Sequence, residues 1–439
     1  MTDYKGLRHF KNGISCVSQW TGREHKEMEH VIVAVFAGIV NTKALKAVCA
    51  AVDFIYYAQY QRHTDITLAK MQDALDVFHL HKDVFAELHP GESFNIPKLH
   101  SMLHYINSIR SLGTADGYNT ESPERLHIDF AKEAYRASNT VDYVTQMTKW
   151  LQRREAIDHH SAYLDWISMS KSNGMQDSSI TTPSGIKPGH AYHLPKTCSF
   201  PSIPASCLIS VFGAEDFVPV FQGFLNKHKP NSIFSASISD RFDVYKSIMV
   251  ILPSVPHISD QKQMHKLRAC CIIPSHDICK PDTPAHFNTA LIVQDQNLHK
   301  ELGGLHGMCY GHLCERNLTC DLFTGLRVAQ ICIIFTLPSH YSMFPHQLAY
   351  IEWFWPFSTI DETVGMYKVA RSTCNRARHS AVIGMNEILQ ACHLAPKYRS
   401  TPVDLSWTYL NVIEKLNKFF LNHYCDFHLF EMLQCDCRN

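Results

Sequence analysis

The chain has 439 residues, 45% of them hydrophobic and 19% charged, and its 41 Lys and Arg balance 41 Asp and Glu. That length exceeds the ~250–300 residues at which a single core stops growing, so two cores or more are expected, and the ordinary composition excludes wholesale disorder. Neutrality excludes a stand-alone, salt-driven nucleic-acid binder, because any contact with phosphate must then come from local patches.

Sixteen cysteines are dispersed along the sequence rather than clustered in a small framework. The opening MTDYKGLRHFKNG lacks an apolar core of the kind that directs export, so reduced thiols and a soluble, intracellular protein are expected. The longest apolar run of the first part, Val31 to Val40, is about half the ~20 residues of a membrane span.

From Thr21 to about Ser170 the apolar spacing is helical. A helix from His25 to Ala37 ends at Gly38, and Asn41 caps a second from Thr42 through Tyr60. A third starts after Thr64, with Leu68, Met71, Leu75 and Phe78 on one face, followed by Val84, Phe85 and Leu88; Pro90-Gly91 closes it. Pro97 opens a helix carrying Leu99, Met102, Leu103, Ile106 and Ile109 that stops at Gly113. Two more fit Ser122 to Ala137 and Val141 to Ser168.

Residues 171–206 turn to Ser, Thr, Pro and Gly, a composition that reads as a linker. A short helix then fits Ala214 to Lys227. HFNTALIVQD, GLRVAQICIIFTL, QLAYIEWFWPF and GMYKVARS are β-branched or aromatic runs expected to be strands, most of them within 286–372. A closing helix fits Leu405 to Asn422. The expectation is an α+β protein: a helical region at 1–170, the linker, and a C-terminal α+β domain at 207–439. Its β-rich centre, 286–400, is expected to form a small, barrel-like antiparallel sheet.

The most informative words are NIPKLHSMLHY and GYNTESPERLHIDFAKEAYRAS. Ser122-Pro123-Glu124 reads as N-cap, first helical residue and first-turn acid. Glu124 and His127, at i and i+3, share a helix face. Taken alone, this pattern is ordinary, since a first-turn Glu favours the helix dipole without any chemical role.

Longer words carry more. GLRHFKNGISCVSQWTGREHKEMEHV, FIYYAQYQRHT, FNIPKLHSMLHYINSIRSLGTADGYNTESPERLHIDFAKEAYRASN, HFNTALIV, GLRVAQICIIF and LAYIEWF together resemble the Plavaka transposases of fungi, relatives of the CACTA-type cut-and-paste elements. The resemblance spans nearly the whole chain. It implies a DDE/D transposase with an RNase H-like core, in which three carboxylates hold two divalent ions, Mg²⁺ or Mn²⁺. Those ions activate water or a 3′-hydroxyl and stabilise the leaving oxygen of a phosphodiester. It further implies a nuclear protein whose partners are DNA at transposon ends and other transposase subunits, by self-association or with a full-length copy.

In the CACTA relatives the last carboxylate follows a large helical insertion and precedes a His by three residues. Glu124-Arg125-Leu126-His127 resembles that pattern, with Glu121 a competing candidate one turn upstream. On this reading the helical region is the insertion and last helix of the RNase H-like core. The family's two aspartates lie on strands upstream of the GLRHF word, and this chain starts just before it, with Met1 resembling an internal methionine of a longer relative. Asp53, Asp73 and Asp116 fall in or beside helices and do not resemble the missing positions. The resemblance therefore implies a transposase-derived protein without independent catalysis. Two alternatives stand beside it: a chromatin-, DNA- or protein-binding module in the β domain, or a strand-transfer enzyme completed by an upstream segment or in trans.

Other constellations have plainer readings. His100 and His104, at i and i+4, have metal-ligand spacing, but without the Glu of HExxH they are expected to be core or hydrogen-bonded histidines. His306, Cys309, His312, Cys314 and Cys320 form the densest Cys/His stretch; lacking a CxxC knuckle, it reads as a loop insertion rather than a zinc site. Tyr350, Trp353, Phe354, Trp355, Phe357 and Tyr367 fit a sheet core better than an aromatic cage for a methylated lysine. Lys149, Arg153 and Arg154, with Arg136, are the candidate DNA-phosphate face, against a default of solvated helix surface.

Overall fold

The computed structural model describes residues 1–10, 13–17, 19–88, 96–118, 121–173, 191–228, 235–255, 257–259, 261–275, 282–295, 325–338, 341, 347–357, 360–398, 403–404 and 406–434. The Cys/His stretch 306–320 lies outside the described residues, as do residues 174–190 of the expected linker. The chain forms two compact units, one of residues 1–106 with 188–439 and the other of residues 107–187.

The first unit opens with helices α1 (Gly22–Phe36), α2 (Thr42–Ala58) and α3 (Asp65–His81), followed by α4 (Asp83–Leu88) and α5 (Pro97–Met102). Local signals explain their limits. Thr21 and Glu24 form a reciprocal capping box that starts α1 three residues before its apolar periodicity begins. Gly38 follows α1 at φ +83°, and a Cβ there would come within 3.2 Å of the Tyr398 carbonyl oxygen, so both backbone and space demand glycine. Asn41 Oδ1 accepts from the Lys43 amide at 2.8 Å. Asn41→Ala should therefore cost about 1 kcal/mol in urea denaturation; an unchanged midpoint would show that this cap does not matter.

The single helix expected from Pro97 to Gly113 is two, α5 and α6 (Tyr105–Leu112), the latter ending at Gly113 with φ +94°. Residues 1–106 do not stand apart from the C-terminal region. The Tyr424 hydroxyl donates to Asp53 Oδ1 at 2.7 Å, and the Gln61 amide donates to the His257 carbonyl at 2.8 Å. Tyr56 packs against Phe427 and Phe430 with ring centroids 4.7 and 4.8 Å apart. Asp53 is thus a buried structural acceptor.

The strands are β1 (Ala191–His193), β2 (Phe200–Pro204), β3 (Arg241–Tyr245), β4 (Ser247–Leu252), β5 (Gln263–Cys270), β6 (His286–Phe287), β7 (Thr289–Val293) and β8 (Leu326–Thr336). They continue with β9 (Leu348–Trp353), β10 (Ile360–Asp361), β11 (Met366–Ala370), β12 (Thr373–Cys374), β13 (Ala377–Arg378), β14 (Ser380–Gly384), β15 (Ile388–Pro396) and β16 (Lys418–Asn422). The large sheet has ten strands in the order β10-β11-β16-β15-β7-β8-β3-β2, with β9 on β8 and β14 on β9. A second sheet runs β1-β4-β5-β6, and β12-β13 is a short hairpin. Every pairing is antiparallel, as expected, but the sheet is neither small nor closed into a barrel.

Strands also spread more widely than 286–372, reaching from residue 191 to 422. Of the expected linker, residues 171–173 belong to the helix ending at Asn173, and the described C-terminal part carries β1 and β2. β3, β4 and β5 alternate in burial, and their periodicity of two was legible in RFDVY and SIMVIL. The helix expected over 405–422 is replaced by a short helix, Val412–Lys415, and by β16, because Phe419, Phe420 and Leu421 are all buried and need both faces of a sheet.

Beside a small α2–α3 cluster around Ala47, Ala50 and Phe78, three apolar layers hold the sheets among the described residues. The two sheets face each other across Ile248, Val250, Leu267, Ile292, Ile331 and Ile351. Helices α10 (Ala205–Phe212) and α11 (Phe217–His228) cover a second face, where Phe217, Phe221, Phe242 and Phe335 meet edge-to-face or stacked. The Val412–Lys415 and Phe427–Gln434 helices cover a third around Leu291, Val328, Leu394 and Phe419.

Among its described residues the second unit carries helices and no strand: most of α6, a 3-10 turn (Ala115–Gly117), α7 (Glu121–His127), a π-helical stretch (Ile128–Glu133), α8 (Ala134–Arg136) and, after the loop 137–142, the 31-residue α9 (Tyr143–Asn173). Ala134 is buried, while Leu126, Phe130, Ile157, Tyr163 and Trp166 are exposed.

Candidate functional site

Glu124 lies in the first turn of α7, whose helical geometry starts at Glu121 rather than after Ser122. Ser122 is therefore inside the first turn and is not the N-cap expected from the sequence. Glu124, Arg125 and His127 are all exposed, and the three-residue spacing brings Glu124 and His127 to one face. The helix then widens into the π-helical stretch Ile128–Glu133, for which no local residue pattern is a cue. Such a stretch re-aims the side chains on either side of it and recurs at functional sites. Glu121 shares the same first turn, but the placement of its side chain lies outside the described residues.

Among the described residues, no three His, Cys, Asp or Glu side chains approach closely enough to share a metal ion. A two-metal pair needs several carboxylates converging within a few ångströms, so the donors described around Glu124 do not fit one. His100 and His104 are exposed rather than in a core; their Nε2 atoms are 3.3 Å apart and their rings meet edge-on.

The basic face divides. Arg154 Nη1 pairs with Glu133 Oε2 at 3.1 Å and its guanidinium sits 5.5 Å from the Trp150 ring centroid, so it braces α9 against the preceding turn. Lys149, Arg153 and Arg136 are exposed. The aromatic group resolves mostly into core: Tyr350, Trp353, Phe354 and Tyr367 are 5% exposed or less, whereas Trp355 is 51% exposed.

The structure also assembles a constellation that sequence reading missed, in the first unit, from segments hundreds of residues apart. The buried Asp426 carboxylate is used from both sides. Its Oδ1 accepts from the Leu429 amide at 3.0 Å, capping the Phe427–Gln434 helix, and its Oδ2 meets His265 Nε2 at 2.9 Å and the Tyr4 hydroxyl at 3.3 Å. Burial pushes this carboxyl up, but the His265 hydrogen bond and the charges of His265 and His428 outweigh that and hold it near about 2. Neither ring nitrogen of the buried His428 has a hydrogen-bond partner among the described residues, nor does His265 Nδ1. Close by, Asn422 Nδ2 donates to the His30 carbonyl at 2.8 Å and lies 3.0 Å from His393 Nδ1.

Only the high histidine count, 28, hinted at this corner; the partners Tyr4, His265 and Asp426 share no local pattern. No helix among the described residues is long and apolar enough to cross a membrane. Compared with protein-family models, curated proteins and solved structures, the chain finds no match.

Proposed function

We propose that this chain is a transposase-derived protein of the Plavaka type that engages DNA through its 107–187 unit and does not complete phosphodiester chemistry by itself. The observation that carries the reading is the exposed Glu124–His127 pair on α7, whose last residue His127 runs directly into a π-helical stretch, within the words that resemble the family. A carboxylate and an imidazole three residues apart on an open face can serve a site whose other acids come from elsewhere, from an upstream segment or from a second subunit. In that role Glu124 would supply one metal-binding carboxylate of an RNase H-like core, with Glu121 the alternative, and His127 would support it. The divalent ions would polarise the scissile phosphate.

In this reading the exposed Lys149 and Arg153 would meet DNA phosphates, while Arg154 acts on the fold through Glu133 and Trp150. The test is duplex binding measured across a salt series. Each phosphate contact contributes about 0.9 to the slope of log affinity against log salt, so Lys149→Ala with Arg153→Ala should flatten it by about 2. An unchanged slope and affinity would remove this face from the proposal. The chromatin-reader alternative loses support from the burial of Trp353, Phe354 and Tyr367, which leaves Trp355 the exposed ring on that strand run.

A further inference from the structure

The break between α5 and α6 carries the His100–His104 pair. Here the Leu103 and His104 amides donate to the His100 and Ser101 carbonyls at 3.1 and 3.0 Å, three residues back instead of four, so the chain tightens. The segment is anchored on both sides of the break. Leu99 packs against the α2–α3 cluster, and Tyr105 meets Phe54 edge-on with ring centroids 5.6 Å apart. His100 and His104, by contrast, are exposed. Ser101, next to His100, has its hydroxyl committed to the Lys98 carbonyl at 2.7 Å.

The two rings are turned toward each other. Their Nε2 atoms are 3.3 Å apart and their centroids 5.0 Å apart, so each nitrogen lies on the side of its ring that faces the other. Two imidazole nitrogens bound at ~2.0–2.1 Å to one tetrahedral ion are about 3.3–3.4 Å apart, and this pair has that separation. With each ring proton on Nδ1, both Nε2 lone pairs can be given to one ion. Imidazole suits Zn²⁺ and similar borderline ions, whereas Mg²⁺ takes oxygen donors.

We propose that His100 and His104 bind one borderline divalent ion of the Zn²⁺ class through both Nε2 atoms, with water in the remaining tetrahedral positions. Such a site is open, unlike a structural zinc site closed by four protein donors. The proposal is independent of the DNA-processing reading, which calls for Mg²⁺ or Mn²⁺ on carboxylates. It is tested on the full chain by equilibrium dialysis against Zn²⁺, with a phosphine reductant. Free Zn²⁺ is raised to about 0.2 mM, because two protein donors bind more weakly than four. Other histidines and the thiols take zinc too, so the measured quantity is a difference. The wild type should hold one equivalent more than His100→Ala, and one more than His104→Ala. Loss of an outer partner of a ligand costs ~10–100-fold in affinity, so loss of either ligand should weaken the site about tenfold or more. His193→Ala, at an exposed histidine of β1, should lose nothing, and an excess of Mg²⁺ should displace nothing. Circular dichroism of each variant separates loss of fold from loss of site. Equal uptake by the wild type and both His→Ala variants, the same loss in His193→Ala, or displacement by Mg²⁺ would each overturn the proposal.

Discussion

Incubated with supercoiled or nicked DNA in Mg²⁺ or Mn²⁺, the purified chain should leave the substrate uncut and unjoined. The expectation follows from the donors around Glu124. An exposed carboxylate in open water is a weak Mg²⁺ ligand, because the ion gives up its hydration reluctantly and needs converging carboxylates or substrate phosphates to hold it. Supplying two strand-borne aspartates, in an upstream extension or on a second polypeptide, should create divalent-dependent cleavage. Glu124→Gln should then lower that activity by about 10³-fold or more, as removal of one member of a catalytic set does. Because Glu124 is exposed, this substitution should leave the thermal midpoint unchanged, which separates a chemical role from a structural one. If the bare chain cleaves DNA and Glu124→Gln removes the cleavage, the incomplete-site reading is wrong. If the completed protein survives Glu124→Gln but not Glu121→Gln, the family reading stands and the residue assignment moves one turn upstream.

Local signals were legible in the sequence, and long-range ones were not. Asn41 and Thr64 cap their helices, Gly38 and Gly113 end theirs, and HFNTALIVQD, GLRVAQICIIFTL, QLAYIEWFWPF and GMYKVARS are strands. Each of these depends on a few neighbouring residues. The stretch 405–422 failed as a helix because KFFLN is decided by what covers it: Phe419 and Leu421 pack under the Phe427–Gln434 helix, and β16 is hydrogen-bonded on both sides by β11 and β15. Ten strands in one sheet could not be read from periodicity, since pairing order is a tertiary property and β8 joins three partners at once. The Glu124 segment stood out only through its resemblance, and the π-helical geometry that follows it carries no local residue cue. The Asp426–His265–Tyr4 cluster was invisible because 422 residues separate Tyr4 from Asp426.

That cluster makes the protein acid-sensitive well above the range in which surface carboxylates titrate. His393 and His428 are each 1% exposed. Burial pushes the His393 imidazole down to about 3, with the N-terminal ammonium, His9 and His30 adding to the effect. Burial lowers His428 as well, and the charge of His265 adds to this while that of Asp426 opposes it. A group whose folded value lies below its unfolded value of ~6.5 binds its proton more readily in the unfolded chain. Stability is therefore full above pH ~6.5 and is lost as pH falls below it. With its folded value near 3, His393 should remove about 1.4 kcal/mol between pH 7.5 and 5.5, and His428 acts in the same direction. Asp426 acts in the same direction but lower: its carboxyl, held near about 2, stabilises above ~3.8 and loses that contribution as pH falls from there. Urea denaturation at pH 7.5, 6.5 and 5.5 measures the first window. His393→Gln keeps a polar neighbour for Asn422 and removes that titrating group, so it should lower the loss over that window by about 1.4 kcal/mol. Stability that stays flat from pH 7.5 to 5.5, or a slope that His393→Gln leaves untouched, would mean that these imidazoles open to solvent before they take up protons.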